Sequence, residues 1–288
     1  MEINQLAKVA TQVRRDIVRM VHGCQSGHPG GSLGCADIVT ALYFSVMDIK
    51  EEKGENGLLR FDMDGIGEDL FFLSNGHISP LFYSVLSRRG YFDTKELATF
   101  RKLSSRLQGH PATHEHLPGI RIASGSLGQG LSVACGAALA KRLNNDEHFI
   151  FVLMGDGEQN EGQIWEAAQF APHHKINNLV AIVDINGQQI DGPTVEVMDN
   201  RDLGKKYEAF GWTVLHMDGN NLEEVIATVE KAKALCRETD GPVAIMAKTE
   251  MGAGVDFMMG SHHWHGIAPN DEQLAKALGQ LEETLGDY

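Results

Sequence analysis

The sequence predicts an α/β fold, a parallel sheet with helices on both faces, and three observations carry that expectation. Two apolar runs rich in strand formers, FIFVLM ending at Met154 and NLVAIVD ending at Asp184, flank a segment of helical composition, EGQIWEAAQFAPHHK. That is a strand, helix, strand unit of the length a right-handed parallel crossover needs. Further on, GWTVLHM and PVAIMAK are separated by another helical stretch, so the alternation continues. Lastly, Asp156 and Asn186 fall just beyond the first two of these strands, at the edge where open parallel sheets hold ligands.

Taken in order, the first 23 residues carry Leu6, Val9, Val13, Ile17 and Met20 at helical spacing, which gives an amphipathic helix and no continuous apolar signal-peptide core. A Gly-rich loop, SGHPGGSLG, leads to a second helix, ADIVTALYFSVM. Residues 49–68 form a polar connection before a short buried strand, DLFFLSN. Helical patterns follow at residues 79–89 and 95–103, then a second loop, LQGHPATHEHLPGI. Residues 125–143, GSLGQGLSVACGAALAKRL, read as a helix of small residues that permits close approach by a neighbouring backbone or by another protein chain. After the crossover unit come a helix over 202–210, the strand GWTVLHM, a helix over 222–237 and the strand PVAIMAK. The loop TEMGAGVDFMMGSHHWHGIAP is the flexible rim of a site, and DEQLAKALGQLEETLG closes the chain as a helix. The whole of residues 1–288 is expected to form one domain, with roughly the last 20 residues as a helical tail.

Composition narrows the function. A net charge of −14, from 25 basic and 39 acidic side chains, excludes nucleic acid as the main partner. No apolar stretch approaches 18 residues, so no membrane span is expected. Cys24, Cys35, Cys135 and Cys236 lack metal-type pairing and read as reduced thiols of a cytoplasmic protein.

Gly155-Asp156-Gly157 alone is common turn chemistry, with Asp capping the next helix. Asn186 changes that reading. A carboxylate, a side-chain amide oxygen and a nearby backbone carbonyl suit magnesium or calcium holding a diphosphate, where zinc would prefer Cys or His. Of the thirteen histidines, His28, His77, His110, His262 and His265 lie in Gly-containing loops or directly after a strand, where backbone aims the ring. His28 and His110 both sit in Gly-His-Pro, in which the Pro holds the His backbone extended. A neutral imidazole there donates to and accepts from sugar hydroxyls.

Six ordered motifs, SGHPGGSLG, LSNGHISPLFYSVL, QGHP, GSLGQGLSVACG, MGDGEQNEGQIWEAA and DINGQQIDG, resemble the amino-terminal half of transketolase, over about residues 10–270. The resemblance implies the thiamine diphosphate-binding fold and the matching residue roles. Asp156, Asn186 and the carbonyl of Gln188 would hold Mg2+ or Ca2+, with Gly155 and Gly157 framing the diphosphate. His77 would lie beside the diphosphate, and His28 and His110 would contact the donor sugar. His262 would touch both diphosphate and substrate, although His265 competes for that role and His263 and Trp264 depart from the family pattern. Gly125, Ser126 and Leu127 would face the aminopyrimidine ring, Ile190 would pack on the thiazolium ring, and Glu161 and Glu166 would reach across a subunit interface.

In that family a second domain grips the pyrimidine and supplies its activating Glu, and no segment here corresponds to it. The expectation is one subunit of a split transketolase that moves a two-carbon glycolaldehyde unit from a ketose, ordinary or specialised, to an aldose. It would work with a separate pyrimidine-binding chain, as a heterotetramer of two chains of each kind. The competing readings are a deoxyxylulose-phosphate synthase-like or oxo-acid dehydrogenase subunit, and a cofactor-binding protein without catalysis.

Overall fold

The computed structural model describes residues 1–288. Helix α1 spans Ile3–Cys24 and buries Leu6, Val9, Val13, Ile17 and Met20 along one stripe, as their spacing requires. Helices α2 (Pro29–Gly34) and α3 (Ala36–Ala41) follow, the latter continuing as a π-helical turn, Leu42–Val46. Strand β1 is Leu70–Leu73 and helix α4 is Ser79–Arg89. Helix α5 (Gly130–Leu143), strand β2 (Ile150–Gly155), helix α6 (Gly162–His173) and strand β3 (Leu179–Ile185) form the central crossover.

A two-residue-per-arm hairpin, β4 (Gln188–Gln189) with β5 (Gly192–Pro193), leads to the short helix α7 (Thr194–Val197). The remainder is α8 (Leu203–Phe210), β6 (Thr213–Asp218), α9 (Leu222–Glu238), β7 (Val243–Lys248) and α10 (Asp271–Gln280).

Five strands form one sheet in the order β1-β2-β3-β7-β6, every neighbouring pair parallel. Successive side chains alternate between two cores. Phe71, Phe151, Val180, Ile182 and Ile245 face the layer of α1, α3, α4 and α9, while Phe72, Val152, Ala181, Val183 and Met246 face α5, α6 and α8. A sheet covered on both faces explains why the strands read as unbroken apolar runs.

Four expectations are corrected. The Gly-rich loop at SGHPGGSLG is partly helix: Pro29 starts α2 with a preset φ, and its glycines are buried, with a Cβ at Gly30 only 2.7 Å from Met251 Cγ. Close packing overrides poor intrinsic helix propensity there. Residues 95–103 form only the 3₁₀ turn Thr94–Thr99, because Leu97 and Phe100 are buried and Arg101 then adopts φ +56°. Residues 125–129 stay outside α5, and Gly128 adopts φ +82°. The closing helix stops at Gln280, after which Leu281 is buried and Asp287 pairs with Arg15 at 2.7 Å, strapping the tail to α1.

Candidate active site

Parallel strands deliver their carboxyl ends to one edge, and four of the five contribute to a cleft of about 460 Å³ there. Asn75 and His77 follow β1, Asp156 and Gly157 follow β2, Asn186, Gln188, Gln189 and Ile190 follow β3, and Met251 lies just past β7. Loops from elsewhere bring His28, His110, Gly125, Leu127 and His265 to the same space. Two of these loops touch closely at Gly76: a Cβ there would lie 2.2 Å from the Ser124 carbonyl oxygen, so only glycine lets the His77 segment meet the wall that includes Gly125.

Asp156 is buried, and its two oxygens accept the backbone N–H groups of Gly157 at 2.7 Å and Gly187 at 2.8 Å. Asn200 fixes the same residue from behind by donating to its carbonyl at 2.7 Å. Burial, followed by the charge of Asp184, pushes the Asp156 carboxyl up to about 7. Burial likewise raises Asp184, which accepts from Asn186 Nδ2 at 2.7 Å. Asn186 Oδ1 accepts the N–H of Gln188 at 2.9 Å. Two buried carboxyls beside an amide oxygen are stabilised as anions by a hard cation, which fits Mg2+ or Ca2+. No group of three or more His, Cys, Asp or Glu is arranged to hold a metal ion, so protein donors here would include the amide oxygen of Asn186 beside the single carboxylate of Asp156.

Four imidazoles cluster on the other side of the cleft. His28 lies 5.0 Å from His77, 5.6 Å from His265 and 6.3 Å from His110 between ring centroids, and His77 stacks on His265 at 5.1 Å. Burial is the main cause that lowers all four pKa values, His28 to about 4, so the rings are neutral at neutral pH. They offer both donors and acceptors to hydroxyl groups.

The expectation for His262 is corrected. It stacks on His263 at 4.5 Å, away from the cleft lining, and His265 joins the cluster instead. The neighbouring Gly266 packs close to the same space, where a Cβ would meet Ile190 Cδ1 at 3.2 Å and His28 Cδ2 at 3.7 Å. Ser126 is exposed and does not line the cleft, whereas Gly125, Leu127, Gly155, Gln188 and Ile190 do. Glu161 stands at the rim, and Glu166 is exposed on α6, outside this cleft.

Sequence reasoning passed over Asn75, Ser124, Glu158, Asp184 and Gln189, all of which line the cleft. Asp184 carried a signal, an acid two residues before Asn186 at a strand end. The others stand out only in three dimensions. Nine buried side-chain polar atoms lack a hydrogen-bond partner, and five of them belong to this cleft: His28 Nδ1, Asn75 Oδ1, Ser124 Oγ, Gln189 Nε2 and His265 Nδ1. Unpaired buried polar groups cost about 1–3 kcal/mol each, so their concentration here marks a site shaped for a polar ligand.

The family described as "Transketolase, thiamine diphosphate binding domain" matches residues 6–283. Among relatives, an apulose-4-phosphate transketolase subunit of Phocaeicola vulgatus is 35% identical over 285 residues, covering 99% of this chain and 96% of that protein. The 6-deoxy-6-sulfo-D-fructose transketolase subunit SqwG of Clostridium sp. is 37% identical over 258 residues, 89% of each. The crystal structure of transketolase from Campylobacter jejuni superposes with a TM-score of 0.86 at 34% identity, covering 98% of this chain and 43% of that one.

Proposed function

The chain belongs to the transketolase family, in its thiamine diphosphate-binding domain, and from that membership we propose that it is the diphosphate-binding subunit of a two-chain transketolase, transferring a two-carbon ketol unit from a ketose to an aldose. One observation carries the reading: a hard-oxygen set and four neutral imidazoles share one sheet edge. The names of relatives support the division into two chains: those named as subunits are matched over 89–97% of their own length. Residues 1–288 act as one domain with a C-terminal tail.

The residues present fit the cofactor. Asp156, Asn186 Oδ1 and the backbone carbonyl of Gln188 hold Mg2+ or Ca2+ against the diphosphate, with Gly155 and Gly157 framing it. His77 and His265 lie beside the diphosphate, where an uncharged ring can donate one hydrogen bond without desolvating a charge. His28 and His110 bind and orient sugar hydroxyls and hold or pass a proton at a ring nitrogen. The backbone of Gly125 and Leu127 walls the pyrimidine end, and Ile190 covers the thiazolium ring. Bound here, thiamine diphosphate supplies the electron sink for breaking the carbon–carbon bond beside the ketose carbonyl.

A separate pyrimidine-binding chain completes the site, in a heterotetramer of two chains of each kind, with Glu161 and Glu166 at the interface. Four free cysteines, three of them buried, support a reducing, cytoplasmic setting. Relatives named for a 4-phosphate sugar and a 6-sulfo sugar support a ketose that carries an anionic group. The test is ketol transfer by the chain alone and in complex with its partner, across ordinary, branched and sulfonated ketoses. Activity is expected only in the complex. Transfer by the isolated chain, or none by the complex with any ketose, overturns the proposal.

A further inference from the structure

We propose that Asp184 is a positioning residue that decides which end of the Asn186 amide faces the metal, an inference that rests on the metal site proposed above. Asp184 closes β3 and is 2% exposed. Its Oδ2 accepts from Asn186 Nδ2 at 2.7 Å, and its Oδ1 accepts from the hydroxyl of Thr249, just past β7. Asn186 on one oxygen and Thr249 on the other therefore fix its place and direction.

The two ends of a primary amide are nearly identical in shape and opposite in polarity. Packing alone cannot choose between them, but a cation accepts only the oxygen. With Nδ2 committed to Asp184, Oδ1 must turn the other way, where it meets the N–H of Gln188 at 2.9 Å. Reversal would set oxygen against the Asp184 carboxylate and NH2 against both the Gln188 N–H and the cation. The loop beyond is locked in the same sense, because Gly187 N–H donates to Asp156 at 2.8 Å. Asp184 thus acts on the metal through Asn186, as partners behind a ligand do elsewhere.

The test exchanges the two residues in the full chain complexed with its partner. The readout is the Mg2+ concentration that half-saturates thiamine diphosphate binding, followed by titration calorimetry. Asp184→Asn and Asn186→Asp are each expected to raise it about 10–100-fold. For Asn186→Asp this runs against ligand strength, since a carboxylate is the harder donor, but it sets two carboxylates against each other. The double exchange restores a donor from position 184 to an acceptor at 186 and is expected to recover to within about fivefold of wild type, as directly coupled partners do. Unchanged or tighter Mg2+ dependence in Asn186→Asp overturns the role, as does a double variant whose losses simply multiply. If Asp184→Asn does not fold, Asn186→Asp against wild type decides. A wild type with no Mg2+ dependence would instead overturn the metal site itself.

Discussion

Glu158 accepts the backbone N–H of Gly128 at 2.8 Å on the same oxygen that receives the Ser74 hydroxyl, and its other oxygen accepts the N–H of Gly155 at 3.0 Å. One buried carboxylate thereby ties the ends of β1 and β2 to the turn before α5. Glu158→Ala leaves three donors without an acceptor and is expected to cost about 3 kcal/mol. Glu158→Gln keeps the volume but turns an NH2 toward one donor, so its loss should be intermediate. Urea unfolding of the three chains checks the order, and an unaffected Ala variant would show that the tie holds nothing.

His265, not His262, lies in the imidazole cluster. In the two-chain complex His265→Ala is expected to lower kcat/KM by about 10–100-fold, the loss of one hydrogen bond to a charged group. His262→Ala should stay within about threefold of wild type, a loss under about 0.7 kcal/mol of transition-state stabilisation. Steady-state kinetics on both variants separates them, and equal losses would return His262 to the site.

The neutral histidines make the fold acid-sensitive. His28 titrates near 4 in the fold against 6.5 unfolded, so below 6.5 the unfolded chain takes a proton that the fold refuses. Its contribution is complete above pH 6.5 and is lost as the pH falls toward 4, by about 3 kcal/mol. Asp156, raised to about 7, works in the opposite direction over the same range, gaining protons in the fold first. Comparison with His28→Gln isolates the histidine. The stability of wild type relative to this variant should drop by about 3 kcal/mol between pH 7.5 and 4 in denaturant titrations, and a constant difference would contradict a buried neutral ring.

Gly76 permits the approach of two loops whose backbones would collide if it carried a Cβ, 2.2 Å from the Ser124 carbonyl oxygen. Because the obstacle is backbone, Gly76→Ala is expected to cost about 2 kcal/mol or more and to shift His77 and Gly125 apart. Weakened thiamine diphosphate binding together with the lost stability would confirm the contact, and normal binding would exclude it.

Much of this architecture was legible in the chain. The runs FIFVLM, NLVAIVD, GWTVLHM and PVAIMAK became strands within a residue or two of their expected bounds, and residues 79–89 became α4. Local composition suffices when both faces of a strand are buried. It failed at α2, where buried glycines make a helix because Met251 and the backbone of Trp264 press against them, and at 95–103, where the buried Leu97 and Phe100 need no second turn. Glu158 was missed for a similar reason. Its partners Ser74 and Gly128 are distant in sequence, and no local pattern distinguishes it from an acid at a helix start.

By itself the sequence determined the alternating α/β order, the carboxyl-edge placement of Asp156 and Asn186, and a resemblance strong enough to name a cofactor. Each depends on neighbours a few residues apart or on motifs in fixed order. Only the tertiary structure decided that His265 enters the cluster, that Asp184 grips Asn186, and that the unpaired polar atoms of Asn75, Ser124 and Gln189 converge on the same cleft. These outcomes depend on where loops from separate strands end up facing one another. Sheet register and close approaches such as Gly76 against Ser124 set that geometry, and neither is written in any short stretch of the chain.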